Sequence, residues 1–143
     1  MDVLQKVKQW LLTYPGWGDT QLYVDYLEAA PCNGGLYPQG LEERSRRVDM
    51  LGNVKISCRY RFALYRMTAG QLNGEENARW LLDFQQWVQQ QSVAGLTPKF
   101  GDVAADEQIR AEKGQLREAS QAGTGTYQVI LIADFIKLYE VNE

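Results

Sequence analysis

The sequence predicts an α+β domain: a single antiparallel β-sheet of about four to five strands with two main helices packed on one face, in the order αβββαββ. Three observations carry that prediction. Residues 54–67 and 126–141 alternate with a period of two, the repeat of a β-strand. Residues 2–13 and 75–91 change to the helical period. The chain has 143 residues, 45% apolar and 23% charged, which suits one folded domain over 1–143 and argues against disorder.

Along the chain, Val3, Leu4, Val7, Trp10 and Leu11 form one apolar stripe, with Gln5, Lys6, Lys8 and Gln9 on the outer face. This is a helix that packs on a sheet, and Pro15-Gly16 ends it. Residues 21–29 alternate as a first strand. Pro31, Asn33, Gly34, Gly35, Pro38 and Gly40 then read as a loop. Residues 41–50 and 54–67 form a hairpin that turns at Leu51-Gly52-Asn53. Its second strand sets Val54, Ile56, Cys58, Tyr60, Phe62 and Leu64 against a partly basic face of Lys55, Ser57, Arg59 and Arg61.

The second helix carries Ala78, Leu81, Leu82, Val88 and three large aromatics, Trp80, Phe84 and Trp87. Asn73 is placed to cap it, with Glu75 and Glu76 at the positive end of its dipole. Gln85, Gln86, Gln89, Gln90 and Gln91 read as a solvated face. After an irregular stretch at 95–106, Gly114 makes residues 107–118 a strand in preference to a helix, and 119–125 a turn. The last strand has Tyr127, Val129, Leu131, Ala133, Phe135 and Tyr139 on one face. Its other face is also largely apolar, which suits a central strand or one that meets another subunit.

Composition narrows the chemistry. Histidine is absent, and with it the commonest general base and metal ligand. Cys32 and Cys58 have no metal-site spacing, and thiols that remain reduced are expected. No phosphate loop, dinucleotide fingerprint or nucleophile elbow occurs. Gly123-Thr124-Gly125 enters a strand and reads as a turn, not a phosphate cradle. The acidic pairs Glu42/Glu43, Glu75/Glu76 and Asp106/Glu107 are sequence neighbours, which on a strand point to opposite faces. No catalytic residue, cofactor site or metal site is therefore expected, and the chain is read as not an enzyme. A net charge of −3 removes the general case for nucleic-acid affinity. No signal peptide and no bilayer-spanning apolar run is read, so a soluble chain without membrane contact is expected.

A longer pattern is more specific than these features. It comprises Leu36-Tyr37-Pro38-Gln39-Gly40, Gly52-Asn53-Val54 and Arg59-Tyr60-Arg61-Phe62-Ala63-Leu64-Tyr65. It continues with Gln108-Ile109-Arg110-Ala111-Glu112, Gly125-Thr126-Tyr127-Gln128-Val129 and Ala133-Asp134-Phe135-Ile136-Lys137-Leu138-Tyr139-Glu140. Together these resemble a family of minor capsid proteins encoded in phages and prophages of Gram-positive bacteria. That family is similar to the tail terminator (tail completion) proteins of long-tailed phages. The resemblance implies a virion tail protein, made in the host cytoplasm, that forms a hexameric ring on the head-proximal end of the tail tube. Expected partners are copies of itself, the tail tube protein and head–tail connector proteins, with DNA passing through the lumen without specific binding. A head–tail connector or head-closure ring is the nearest alternative, and a small-ligand binding protein a more distant one.

A closed ring needs two different contact surfaces on each subunit. The expected subunit contacts are Arg44, Arg46, Arg59, Arg61, Ile130 and Ile132, the two isoleucines as exposed apolar positions. Asp102, Asp106 and Glu107 are the expected lumen lining.

Overall fold

A computed structural model describes residues 2–17, 21–24, 33–69, 74–119 and 124–140. Helix α1 (Val3–Leu11) precedes strands β1 (Gln21–Val24), β2 (Asn33–Val48) and β3 (Val54–Ala69). Helix α2 (Gly74–Val93) and strands β4 (Gln108–Ala119) and β5 (Thr124–Tyr139) follow. The strands form one sheet in the order β1-β2-β3-β5-β4.

The sheet is mixed rather than antiparallel: β1 runs parallel to β2, with Leu22 opposite Gly34 and Val24 opposite Leu36. A period of two is common to both pairings, so alternation in 21–24 carries no information on direction. Other pairs are antiparallel, and β3 and β5 stay in register from Val54↔Tyr139 to Ala69↔Thr124.

The stretch expected to be a loop before the hairpin is the first half of β2 from Asn33 onward. Gly34 marks close packing here, not a turn: a Cβ on it would lie 3.1 Å from Leu22 Cδ1. Pro38 falls beyond the four residues that β1 pairs, so among the described residues it stands on an edge, where proline is tolerated. Gly40, at φ 93°, sits in the register shift between Pro38 and Leu41. Pro31 and Cys32, the proposed cap Asn73 and residues 25–29 of the first strand lie outside the described residues.

Both helices cover one face. Val7, Trp10 and Leu11 of α1 and Leu81, Phe84 and Val88 of α2 join one buried cluster with Leu22, Leu36, Phe62, Leu64, Ile109, Val129 and Leu131. Between the helices an aromatic nest forms around Phe84, whose ring lies 5.2 Å from Tyr14, 5.4 Å from Trp80 and 5.9 Å from Trp87. Trp10 stacks on Trp87 at 5.0 Å. Helix α1 begins with a capping box, in which Gln5 N–H donates to Asp2 at 2.8 Å and Asp2 N–H donates back to the Gln5 side chain.

Two of the glutamines expected to be only solvated hold the structure together. Gln85 Nε2 donates to the carbonyl of Ala111, and Ser92 Oγ accepts from Ile109 N–H, so α2 covers part of the outer edge of β4. Gln91 Oε1 accepts from the Trp10 indole at 3.1 Å. Cys58 is a buried free cysteine, and burial pushes its thiol up, which makes it inert.

Candidate interaction surface on the open sheet face

Alternation that sends Tyr60, Phe62 and Leu64 under the helices sends Arg59, Arg61 and Ala63 to the opposite face. Register then decides which charges meet. Glu42 lies opposite Arg59, Arg59 opposite Asp134, and Asp134 opposite Gln108, in one row across four strands. Asp134 is the hub. Its carboxylate accepts from Arg59 Nε at 2.7 Å and Nη2 at 3.2 Å, and from Arg110 Nη1 at 2.9 Å. Arg44 Nη1 stands 3.9 Å away. On the flanks, Arg61 donates to Glu42 at 2.7 Å, and Arg110 also reaches Glu112 at 3.4 Å.

The Asp134 and Arg59 side chains are each 13% exposed, so this pair is largely out of water. Burial pushes the Asp134 carboxyl up, but hydrogen bonds from Arg59 and Arg110, together with their charges, outweigh burial and hold it below the usual carboxylate range. For Arg59, the hydrogen bond to Asp134 is the main cause of a raised pKa.

The six expected contact residues therefore separate. Arg44, Arg59 and Arg61 come together in this network. Arg46 does not join it: it pairs with Glu43 of its own strand at 2.7 Å, and that hydrogen bond is the main cause of a lowered Glu43 pKa. Ile132 is not an exposed position, as expected from the sequence, but is 2% exposed. It lies opposite Arg61 on one side and Arg110 on the other, and the aliphatic stems of such neighbours cover apolar surface while their heads stay wet. Ile130 is half-buried, between Ala63 and Glu112.

Two of the three acids expected to line a lumen fasten the loop that contains them. Glu107 accepts from Phe100 N–H at 2.9 Å and Gly101 N–H at 2.8 Å. Asp102 accepts from Leu138 N–H at 2.8 Å and stands 3.7 Å from Lys137 Nζ, extending the edge of β5 where β4 stops. A Cβ at Gly101 would strike the Ile136 carbonyl, so this approach needs glycine. Asp106 is exposed.

A second feature is an exposed arm, the outer part of the β2–β3 hairpin, backed by β5, which stays paired to β3 as far as Val54↔Tyr139. Every residue from Leu41 to Met50 is exposed. Asp49 organises its turn: the carboxylate accepts from Leu51 N–H, Asn53 N–H and the Asn53 side chain, and Gly52 takes φ 86°. A turn tied this firmly presents its apolar residues to solvent in fixed positions. Met50 is fully exposed, Leu51 81%, and Val48 lies behind them. A shallow cavity of about 480 Å³ beside the tip is lined by two cations, Arg47 and Lys55, two acids, Asp49 and Glu140, and apolar residues that include Val48 and Leu138.

Sequence reasoning found the basic face of the hairpin but not its hub. The available signal was an aspartate at 134 inside an otherwise apolar strand, in register with Arg59 once β3 and β5 are paired. Among the described residues no group of three or more His, Cys, Asp or Glu is placed to hold a metal ion, and no helix is long and apolar enough to cross a membrane.

Fold and surface together define an α+β domain with a helix-covered face, an ion-paired open face and an apolar-tipped arm. No protein-family model and no curated protein matches the chain.

Proposed function

We propose that the chain is a structural subunit of a phage tail or tail-like particle, one that forms a ring on the head-proximal end of the tail tube. The ring stops tube elongation and prepares the tail for joining to the head. The observation that supports this best is the arm. A lone domain gains nothing from a rigid hairpin that holds Met50, Leu51 and Val48 in water, whereas a subunit that inserts it into a neighbour buries that apolar area. Copies of the chain and the tail tube protein are the proposed partners, with head–tail connector proteins above the ring.

The open face fits the same reading. Four arginines against Glu42, Glu112 and Asp134 leave one cation in surplus, on a face that is polar and ordered like the rim of an interface. The chain as a whole is acidic, which suits a lumen through which DNA slides, because phosphate binding there would stall it. The direct test is negative-stain imaging of particles containing a gold-labelled chain. Label at the head-proximal end of the tail supports a terminator. Label on the head vertex, in particles that lack tails, transfers the chain to the head-closure class, and label on neither overturns the assignment.

A further inference from the structure

Beyond Leu36, where β1 ends, no described strand pairs with the outer edge of β2, and residues 41–48 are exposed. A long bare edge is a template for a strand of another chain. This one reads Leu41-Glu42-Glu43-Arg44-Ser45-Arg46-Arg47-Val48. Laid antiparallel on a second copy of itself, about the point between Arg44 and Ser45, it sets Leu41 opposite Val48, Glu42 opposite Arg47 and Glu43 opposite Arg46, each pair twice. Charges on an edge ordinarily repel a copy of that edge. Here their sign reverses about the midpoint, so the copy is the complement. A slip of one residue either way sets Arg44 opposite itself or opposite Arg46, where like charges repel.

Backbone direction decides whether that register can form. In an antiparallel ladder a hydrogen-bonded residue turns its N–H and C=O to one neighbour, and successive residues alternate. Asp49 N–H donates to the Asn53 carbonyl, so Asp49, Arg47 and Ser45 face β3, while Val48 and Arg46 face outward. In an unbroken strand Glu43 and Leu41 would face β3 as well, out of phase with Arg46 and Val48 of a second copy. β2 is not unbroken: its register on β3 shifts between Glu43 and Ser45, which makes Arg44 an extra residue. That shift turns Glu43 and Leu41 outward, in phase with Arg46 and Val48. Side chains agree too. Leu41 and Glu43 lie opposite Tyr60 and Cys58, and Arg46 and Val48 opposite Ile56 and Val54, all on one side of the sheet. A bulge that ordinarily spoils an edge here fits it to its own copy.

We infer that the β2 edges of two copies pair antiparallel over residues 41–48 and join the two sheets. The backbones of Leu41, Glu43, Arg46 and Val48 supply the ladder, and Leu41 and Val48, 59% and 63% exposed in the single subunit, cover each other. Glu43 and Arg46, already paired within each copy, become a square of alternating charge, and Arg47 meets Glu42 on the other side of the sheet. This contact does not rest on the ring reading. It is isologous and closes on itself at two copies, whereas a ring is built through other surfaces.

Charge exchange tests it. Glu43→Arg leaves only cations at positions 43 and 46, and Arg46→Glu only anions. Both sites are exposed, so thermal unfolding of either variant is expected to stay near that of the parent. Light scattering over a concentration series is expected to show the parent passing from 16.3 kDa to twice that mass, and each variant doing so about tenfold less readily or worse. An equimolar mixture is expected to pair again, because every 43–46 contact between unlike variants joins opposite charges. Amide hydrogen exchange reads the register: protection that grows with concentration should fall on the N–H groups of Leu41, Glu43, Arg46 and Val48. Variants that pair like the parent, a mixture that fails to recover, or a parent that never pairs each overturn the contact. Association that leaves those four N–H groups exchanging freely overturns it too, and leaves the ring reading in place. Failure of the ring reading is read separately, at the tube ends.

Discussion

Phe84→Ala is expected to lower the stability of the chain by about 3–5 kcal/mol, the range for removing a fully buried aromatic side chain. The side chain is 0% exposed and forms the centre of the aromatic nest that joins α1 to α2, with Tyr14, Trp17, Trp80 and Trp87 around it. Those neighbours are large and rigid, and two are fixed by hydrogen bonds: the Trp80 indole donates to the Gly16 carbonyl at 2.7 Å, and the Trp17 indole to the Leu11 carbonyl. They cannot collapse into the space left by a phenyl ring, so the cavity persists and the cost lies at the upper end. For a domain of this size such a loss lowers Tm by about 10–20 °C, readable by calorimetry. Leu82→Ala, two residues away but exposed, should stay within about 0.5 kcal/mol of the parent. Equal shifts for the two would mean that the nest is not the seam between the helices.

Asp134→Asn has the second large effect, and its dependence on pH identifies the cause. The substitution keeps the shape of the side chain but leaves the Arg59 guanidinium, 13% exposed, without the carboxylate it hydrogen-bonds, and only Glu42 and Glu112 act on its charge from farther away. Breaking one partner of a largely buried pair costs several kcal/mol. Arg110 and Arg44 are more than one-third exposed and contribute little, so about 2–4 kcal/mol is expected at pH 7. The Asp134 carboxyl is held below its unfolded value, near 3.9. Its contribution is therefore complete above that value and is lost as the pH falls through the lower folded one. Urea unfolding at a series of pH values should show the gap between parent and Asp134→Asn constant near neutrality and closing below about pH 4. A gap that does not change with pH would assign the loss to packing instead of charge. The double replacement Arg59→Met with Asp134→Leu should recover most of the loss, because an apolar pair removes the desolvation cost as well as the attraction.

The legible part of this fold was its periodic part. β3, β5 and α2 were readable because each buries one face, and burial imposes the alternation seen in Tyr60, Phe62 and Leu64 or Val129, Leu131 and Ala133. The beginning of β2 was not. Gly34, Gly35 and Pro38 are turn residues by local preference, and they form a strand because β1 and β3 lie on either side of Gly34 and Gly35, a tertiary circumstance that composition does not record. The parallel course of β1 was hidden for a related reason, since four residues of alternation fit either direction.

The open face was half legible. Alternation placed Arg59 and Arg61 outward, but their partners depend on strand register. The same register explains why Ile132, apolar and on the outer side, is covered by its own chain instead of waiting for another. That moves the surplus apolar surface from the sheet face to the arm, where Met50 and Leu51 were assigned only to the strand end and its turn. Asp102 and Glu107 show the same limit: an acid in an irregular segment looks free until the N–H groups it serves are located.

The central claim, that copies of this chain close into a ring on the end of a tube, is tested most directly by mass. Purified chain, alone and with tail tubes, should pass from single subunits of 16.3 kDa to one closed species of about six copies that does not grow further with concentration. A chain that remains at the single-subunit mass at every concentration, and leaves tube ends bare, would contradict the account.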